Sequence, residues 1–315
     1  MKKFYKSSLI TAGILFATGS IILIICTFAG GSSFYHNIRS GNIPGIVSQL
    51  SAASLDTDDS AFHINDRIIH CNFNRNYPVY SGSRTDKEAA DAGKVQKINI
   101  DLGGGEFMIE KSSDQTCFEV VAEGKDKYQY YTEEGTLYII GFDGSNINFG
   151  DRHNKLTLRI PANLKFADVY VSLGAGNIKW DYLTTDSITI DAGAGSITMT
   201  DVSAASANVD LGAGSIEFYD STLQDASFEV GLGTLDYSGV IRGDLSADCG
   251  MGNLNFDLTD SEKKHNYSLD VSMGSISIGD REYKGMAYEQ TINNETSSNY
   301  DLSCSMGDIT ITFED

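Results

Sequence analysis

The stretch Asp191–Asp201, DAGAGSITMTD, decides how this chain is read, because Gly193 and Gly195 are spaced as in a dinucleotide-binding loop. Such a loop occurs once, after a strand and before a helix, where its glycines let backbone approach a pyrophosphate. Here the motif recurs: LGAGNI at Leu173, AGAGSI at Ala192, LGAGSI at Leu211, VGLGTL at Val230, CGMGNL at Cys249, VSMGSI at Val271 and CSMGDI at Cys304. The second glycines, Gly176, Gly195, Gly214, Gly233, Gly252, Gly274 and Gly307, stand 19, 19, 19, 19, 22 and 33 residues apart. A period of this length marks a stacked repeat, not a nucleotide site.

Apolar residues alternate on both sides of each motif, as Ile188, Ile190 and Ala192 do before the corner and Ile197 and Met199 after it. That is the period of two strands meeting at a turn. The expected fold is all-β, a β-solenoid or β-helix-like stack of coils of about 19 residues in parallel register. In-register stacking pairs Ile197 with Ile216. The second glycine, never replaced, is expected to hold positive φ. Continued alternation puts Ala175, Ala194 and Ala213 inside, opposite Trp180, Met199 and Phe218, with Leu232, Met251, Met273 and Met306 following in the same column. Trp180 then belongs to the core.

Upstream, KINIDLGGGEFMIEKSS from Lys97 has the outline of a degenerate first coil. The 33-residue interval contains REYKGMAYEQTINNETSSNY, expected to project as a loop or hairpin. Residues 30–94 show little periodicity and read as a spacer, and 95–315 as the repeat domain.

Residues 1–8 carry Lys2, Lys3 and Lys6, and Leu9–Ala29 has no charge over a length that spans a bilayer at about 1.5 Å per residue. The next basic residue is Arg39. The positive-inside rule sets the N-terminus in the cytoplasm and the rest outside, on a single-pass membrane anchor. A long cleaved signal peptide is the rival, with Thr27 and Ala29 at the cleavage positions. Cys26 is then a membrane-buried thiol.

The formal charge of −20 repels phosphate backbones and excludes nucleic acid as a partner. The five histidines occupy no motif, and neither HExxH nor paired CxxC occurs, so neither a catalytic residue nor a cofactor is assigned. Cys249 and Cys304, two coils apart in sequence order, are expected as buried thiols about 9.6 Å apart, beyond disulfide reach. Cys71 and Cys117 remain as the pair for an extracellular bridge or as two separate thiols. Outward parity aligns Ser172, Asp191, Asp210, Glu229, Asp248 and Asp270 in one row. The five acids are either a solvated face or a ladder for weakly held calcium.

The anchor, the strand–glycine–strand repeat, LRIPANLKFADVYVSLGAGNI and the following GAGSI coils together resemble the bacterial putative-adhesin family of β-strand-repeat envelope proteins. The resemblance implies an extracytoplasmic β-solenoid-like domain and supplies no functional residues. Three functions stay open: a non-enzymatic, adhesin-like binding protein for a cell-wall glycan or envelope protein, an envelope-sensing accessory to a signalling system, and a polysaccharide-active enzyme.

Overall fold

The computed structural model describes residues 73–88, 92–112, 114, 116–141, 154–162 and 164–314. The anchor segment Leu9–Ala29 and Cys71 lie outside these residues. Among the described residues no helix is long and apolar enough to cross a membrane.

The chain is all-β. Each repeat lays one strand before its glycine corner and one after it, so the rungs build two ladders. The first ladder opens with β1 (Tyr80–Ser81), β6 (Lys127–Glu133), β7 (Thr136–Gly141) and β3 (Lys97–Leu102), then β9 (Phe166–Trp180), β10 (Leu183–Thr200) and β11 (Val202–Val230). It continues through β13 (Leu245–Cys249), β19 (Ser298–Cys304), β15 (His265–Val271) and β18 (Tyr288–Ile292). The second ladder runs β2 (Arg84–Glu88), β5 (Phe118–Glu123), β8 (Lys155–Pro161) and β4 (Glu106–Ser112), then residues 177–180 of β9, 196–200 of β10 and 215–223 of β11, whose last residues, 226–230, return to the first ladder. It ends with β12 (Thr234–Ile241), β14 (Asn253–Leu258), β20 (Asp308–Phe313), β16 (Ser275–Ile278) and β17 (Arg281–Lys284).

The central rungs are parallel and in the expected register, with Ile197 opposite Ile216. Their inward residues fill one core: Ile188, Ile190, Leu211, Ile216, Phe218 and Leu235 are at most 1% exposed, and Trp180 joins them at 1%. Burying each such side chain contributes about 1.5–3 kcal/mol.

Rung order departs from chain order at both ends. The coil of β3 and β4 sits between the coil of β7 and β8 and that of β9. Likewise the coil of β19 and β20 sits between those of β13–β14 and β15–β16. Cys249 and Cys304 are therefore direct partners, not residues two coils apart. Both are buried, and each thiol donates to a carbonyl of its own corner, Gly252 at 3.1 Å and Gly307 at 2.9 Å. The adjacent Cys304 and burial push the Cys249 thiol above its ordinary range. Cys117 is buried with Sγ 3.3 Å from Asp114 Oδ2.

The 33-residue interval does not project. Arg281–Lys284 and Tyr288–Ile292 fold back antiparallel onto β16 and β15 and cover the outer rung. At the other end the strands β1, β2, β5 and β6 add antiparallel pairs. Residues 73–88, read from sequence as spacer, thus belong to the stack. Gln129, wholly buried, binds their backbone through Asn74 and Tyr77.

The corners differ most from expectation. Among the second glycines only Gly176 (φ 158°) and Gly214 (φ 129°) have positive φ. Close approach explains the rest. A Cβ on Gly233 would lie 2.8 Å from Gly214 O and 2.6 Å from Leu211 Cδ2, and one on Gly307 would lie 2.6 Å from Cys249 Sγ. The last inward residue of the neighbouring rung fills the space beside Gly195, Gly233, Gly252, Gly274 and Gly307, whereas Gly176 and Gly214 meet the backbone of the rung before them. The residue between the glycines is consequently pushed to the convex apex of the corner. Ala175 and Ala194 are exposed, Leu232 is 61% exposed and Met273 60%, so this column lies outside the core rather than opposite Trp180.

Candidate binding face

Inward parity at Ile188, Ile190 and Ala192 turns the alternate residues of the first ladder outward, and register aligns them into rows. The row nearest the corner runs Asp101, Ser172, Asp191 and Asp210, continues through Glu229 and Asp248, and ends in Ser303, Asp270 and Glu289. Four of the five predicted acids are consecutive. Asp270 is set apart from Asp248 by Ser303, because the rung of β19 lies between theirs. Asp101 extends the row beyond Ser172.

Crowding raises these carboxyls. Burial, then Asp210 and Asp101, push Asp191 up to about 6. Burial raises Asp101 and Asp210, and burial with flanking acids raises Glu229 and Asp248. Among the described residues no group of three or more His, Cys, Asp or Glu is placed to hold a metal ion.

Two further rows lie behind this one. One carries Tyr170, Thr189, Asn208, Ser227, Ser246 and Asp301, and the other ends in Asp225, Asp244 and Asn299. A shallow groove of about 530 Å³ crosses them, lined among others by Ser206, Asn208, Ser227, Ser246, Asn299 and Asp301. Its walls present hydroxyls, amides and carboxylates on a backbone fixed by both neighbouring rungs. Asp244 is held in place, its N–H donating to Asp225 Oδ1 and its Oδ1 accepting from Asn299 N, both at 2.9 Å. Toward β7 the same face ends in stacked rings, Tyr77 on Tyr131 at 4.0 Å and Tyr131 on Tyr138 at 4.7 Å.

A serine, a histidine and an aspartate do meet, in the core. His265 Nδ1 lies 2.8 Å from Ser298 Oγ and its Nε2 3.6 Å from Asp260 Oδ2. The Ser298 hydroxyl donates to Gly243 O at 2.5 Å, so its lone pairs face the imidazole. Both side chains are buried, His265 stacks on Tyr300 at 4.1 Å, and burial lowers its pKa. A hydroxyl that donates to a carbonyl is not surrendering its proton to histidine, and neither residue lines the groove. The cluster ties the inserted rung to its neighbours.

Sequence parity found the acidic row but missed the groove. Its lining residues are ordinary serines and asparagines, and Asn299 and Asp301 reach it only through the inserted rung.

The chain is similar to solved structures of a putative adhesin from Bacteroides fragilis NCTC 9343 (13% identity, 73% of this chain and 97% of that one, TM-score 0.39) and a putative cell adhesion protein from Clostridium sporogenes ATCC 15579 (13%, 74% and 100%, 0.33). A putative lipid binding protein from Parabacteroides distasonis ATCC 8503 is similar at 14% identity, 74% and 97% coverage and a TM-score of 0.34. Likenesses of this size transfer no function. No curated protein matches the chain. The Toastrack DUF4097 family model matches residues 95–313, taking in every rung from β3 to β20, and the chain belongs to that family.

Proposed function

We propose that this is a membrane-anchored, extracytoplasmic binding protein that presents the outer face of its first ladder to a cell-wall glycan or an envelope protein and does not turn that ligand over. The supporting observation is the groove of about 530 Å³, where hydrogen-bonding side chains from adjacent rungs stand on rigid backbone. Fixed polar groups bind with little ordering cost, which favours a ligand rich in hydroxyls and amides. The net charge of −20 favours neutral or cationic partners over phosphate-rich ones.

The test is co-sedimentation of the full-length chain with isolated cell-wall material. Binding should be lost in Ser227→Trp, which fills the groove from an exposed position, while melting is unchanged. Retained binding by that variant would move the site elsewhere. Release of new reducing ends from the wall material would make the protein an enzyme.

A further inference from the structure

The apices of the glycine corners form an apolar ridge. Successive hydrogen bonds, Leu232 N to Gly212 O, Met251 N to Gly231 O, Met306 N to Gly250 O and Met273 N to Ser305 O, fix its order. Met286 follows in the turn between β17 and β18, where Ala287 N donates to Ser272 O. Leu232, Met251, Met273 and Met286 are 61, 40, 60 and 86% exposed, and they supply most of the large exposed hydrophobic residues described. Toward the other end the apex residues shrink to Ala213, Ala194 and Ala175. A ridge of long, flexible thioethers adapts to an apolar partner at little cost in strain.

Charge decides which partner. Glu229, Asp248 and Asp270 each stand three residues before a ridge residue and face out beside it, and Asp308, Glu217 and Asp236 lie on the far side of the corner. Lys284, the nearest cation in sequence to Met286, is engaged by Glu282 Oε2 at 2.8 Å. A second copy laid ridge to ridge would oppose these acids, and an anionic lipid surface would be repelled by them. We infer that the ridge docks a basic amphipathic segment of another protein, its apolar side on Leu232 and the methionines and its lysines or arginines against the flanking carboxylates.

The experiment titrates the full-length chain, held in zwitterionic lipid discs, into a labelled synthetic peptide with leucine and lysine at helical spacing, with empty discs as the blank. Binding that weakens with salt is expected. A Leu232→Ser/Met273→Ser variant should lose about tenfold or more in affinity, as removal of two apolar contacts worth about 1.4 kcal/mol together would give. Glu229→Gln/Asp248→Asn should lose both affinity and salt dependence, while the groove variant Ser227→Trp should bind as the native chain does. Unchanged melting of the serine variant ties its loss to the ridge. Absence of binding, native-strength binding by the serine variant, or equal binding of a scrambled peptide would overturn the inference. So would ridge-dependent self-association, or ridge-dependent capture by phosphatidylglycerol vesicles.

Discussion

At Gly214, φ is 129° and a Cβ would run into Gly195 of the preceding rung. Gly214→Val combines left-handed strain with a backbone collision and should destabilise by roughly 2 kcal/mol or more. Ser215→Ala removes only a hydroxyl contact to Ser196 Oγ at 3.1 Å and should stay within about 0.5 kcal/mol of the native chain. Thermal melting of the two variants checks the pair. Acid titration reads two other residues with opposite signs. Asp191 is raised in the folded state, so it contributes stability that is complete below about pH 3.8 and is lost as pH climbs through about 6. His265 is lowered, so its contribution is present above about pH 6.5 and is lost as pH falls through its folded value. Asp191→Asn should therefore flatten the decline between about pH 4 and 6 and leave the acid loss from His265, as melting across that range will show. The acidic row was legible because one outward residue per period suffices to define it. The exposed apex of the corner was not, because alternation was carried one residue too far. What stops it is the inward residue of the adjacent rung, Leu211 beside Gly233 or Cys249 beside Gly307, which is a contact between coils.

Strands and their parallel register could be read from alternation and period, since identical positions meet only when coils stack in phase. Their order could not. Nothing within β19 distinguishes a strand that follows β15 from one inserted between β15 and β13, because alternation turns Tyr300, Leu302 and Cys304 inward in either place. The outer edges of β15 and β16 are taken by β18 and β17, so β19 and β20 pair with their inner edges. Insertion also shapes the acidic row, because Ser303 parts Asp270 from Asp248. With no three-ligand group among the described residues, calcium and sodium at matched ionic strength should raise melting equally, by screening. An excess for calcium that Asp210→Asn/Asp248→Asn abolishes would instead assign a bridging cation to the row.

For the molecule as a whole, the core is continuous from Val95 to Ile311, and its outermost rungs are covered by antiparallel strands rich in charge, such as Arg281–Lys284. Such strands discourage pairing between molecules. Removing residues 281–292 and bridging the gap should uncover one edge and promote association at modest loss of stability, as light scattering and melting would register. Removing β19 and β20 should cost far more, because β13, β14, β15 and β16 all lose a partner. A larger fall in melting temperature for the 281–292 deletion than for the rung deletion would contradict this order. The inserted rung has a further consequence for biosynthesis. Chains are made in one direction, yet the inner partners of β15 and β16 are strands made later, β19 and β20. In a chain that lacks β19 and β20, the edges of β13, β14, β15 and β16 with which these strands pair have no partner, and such edges are open to pairing with another chain. The late rung thus makes maturity a test that a truncated product fails.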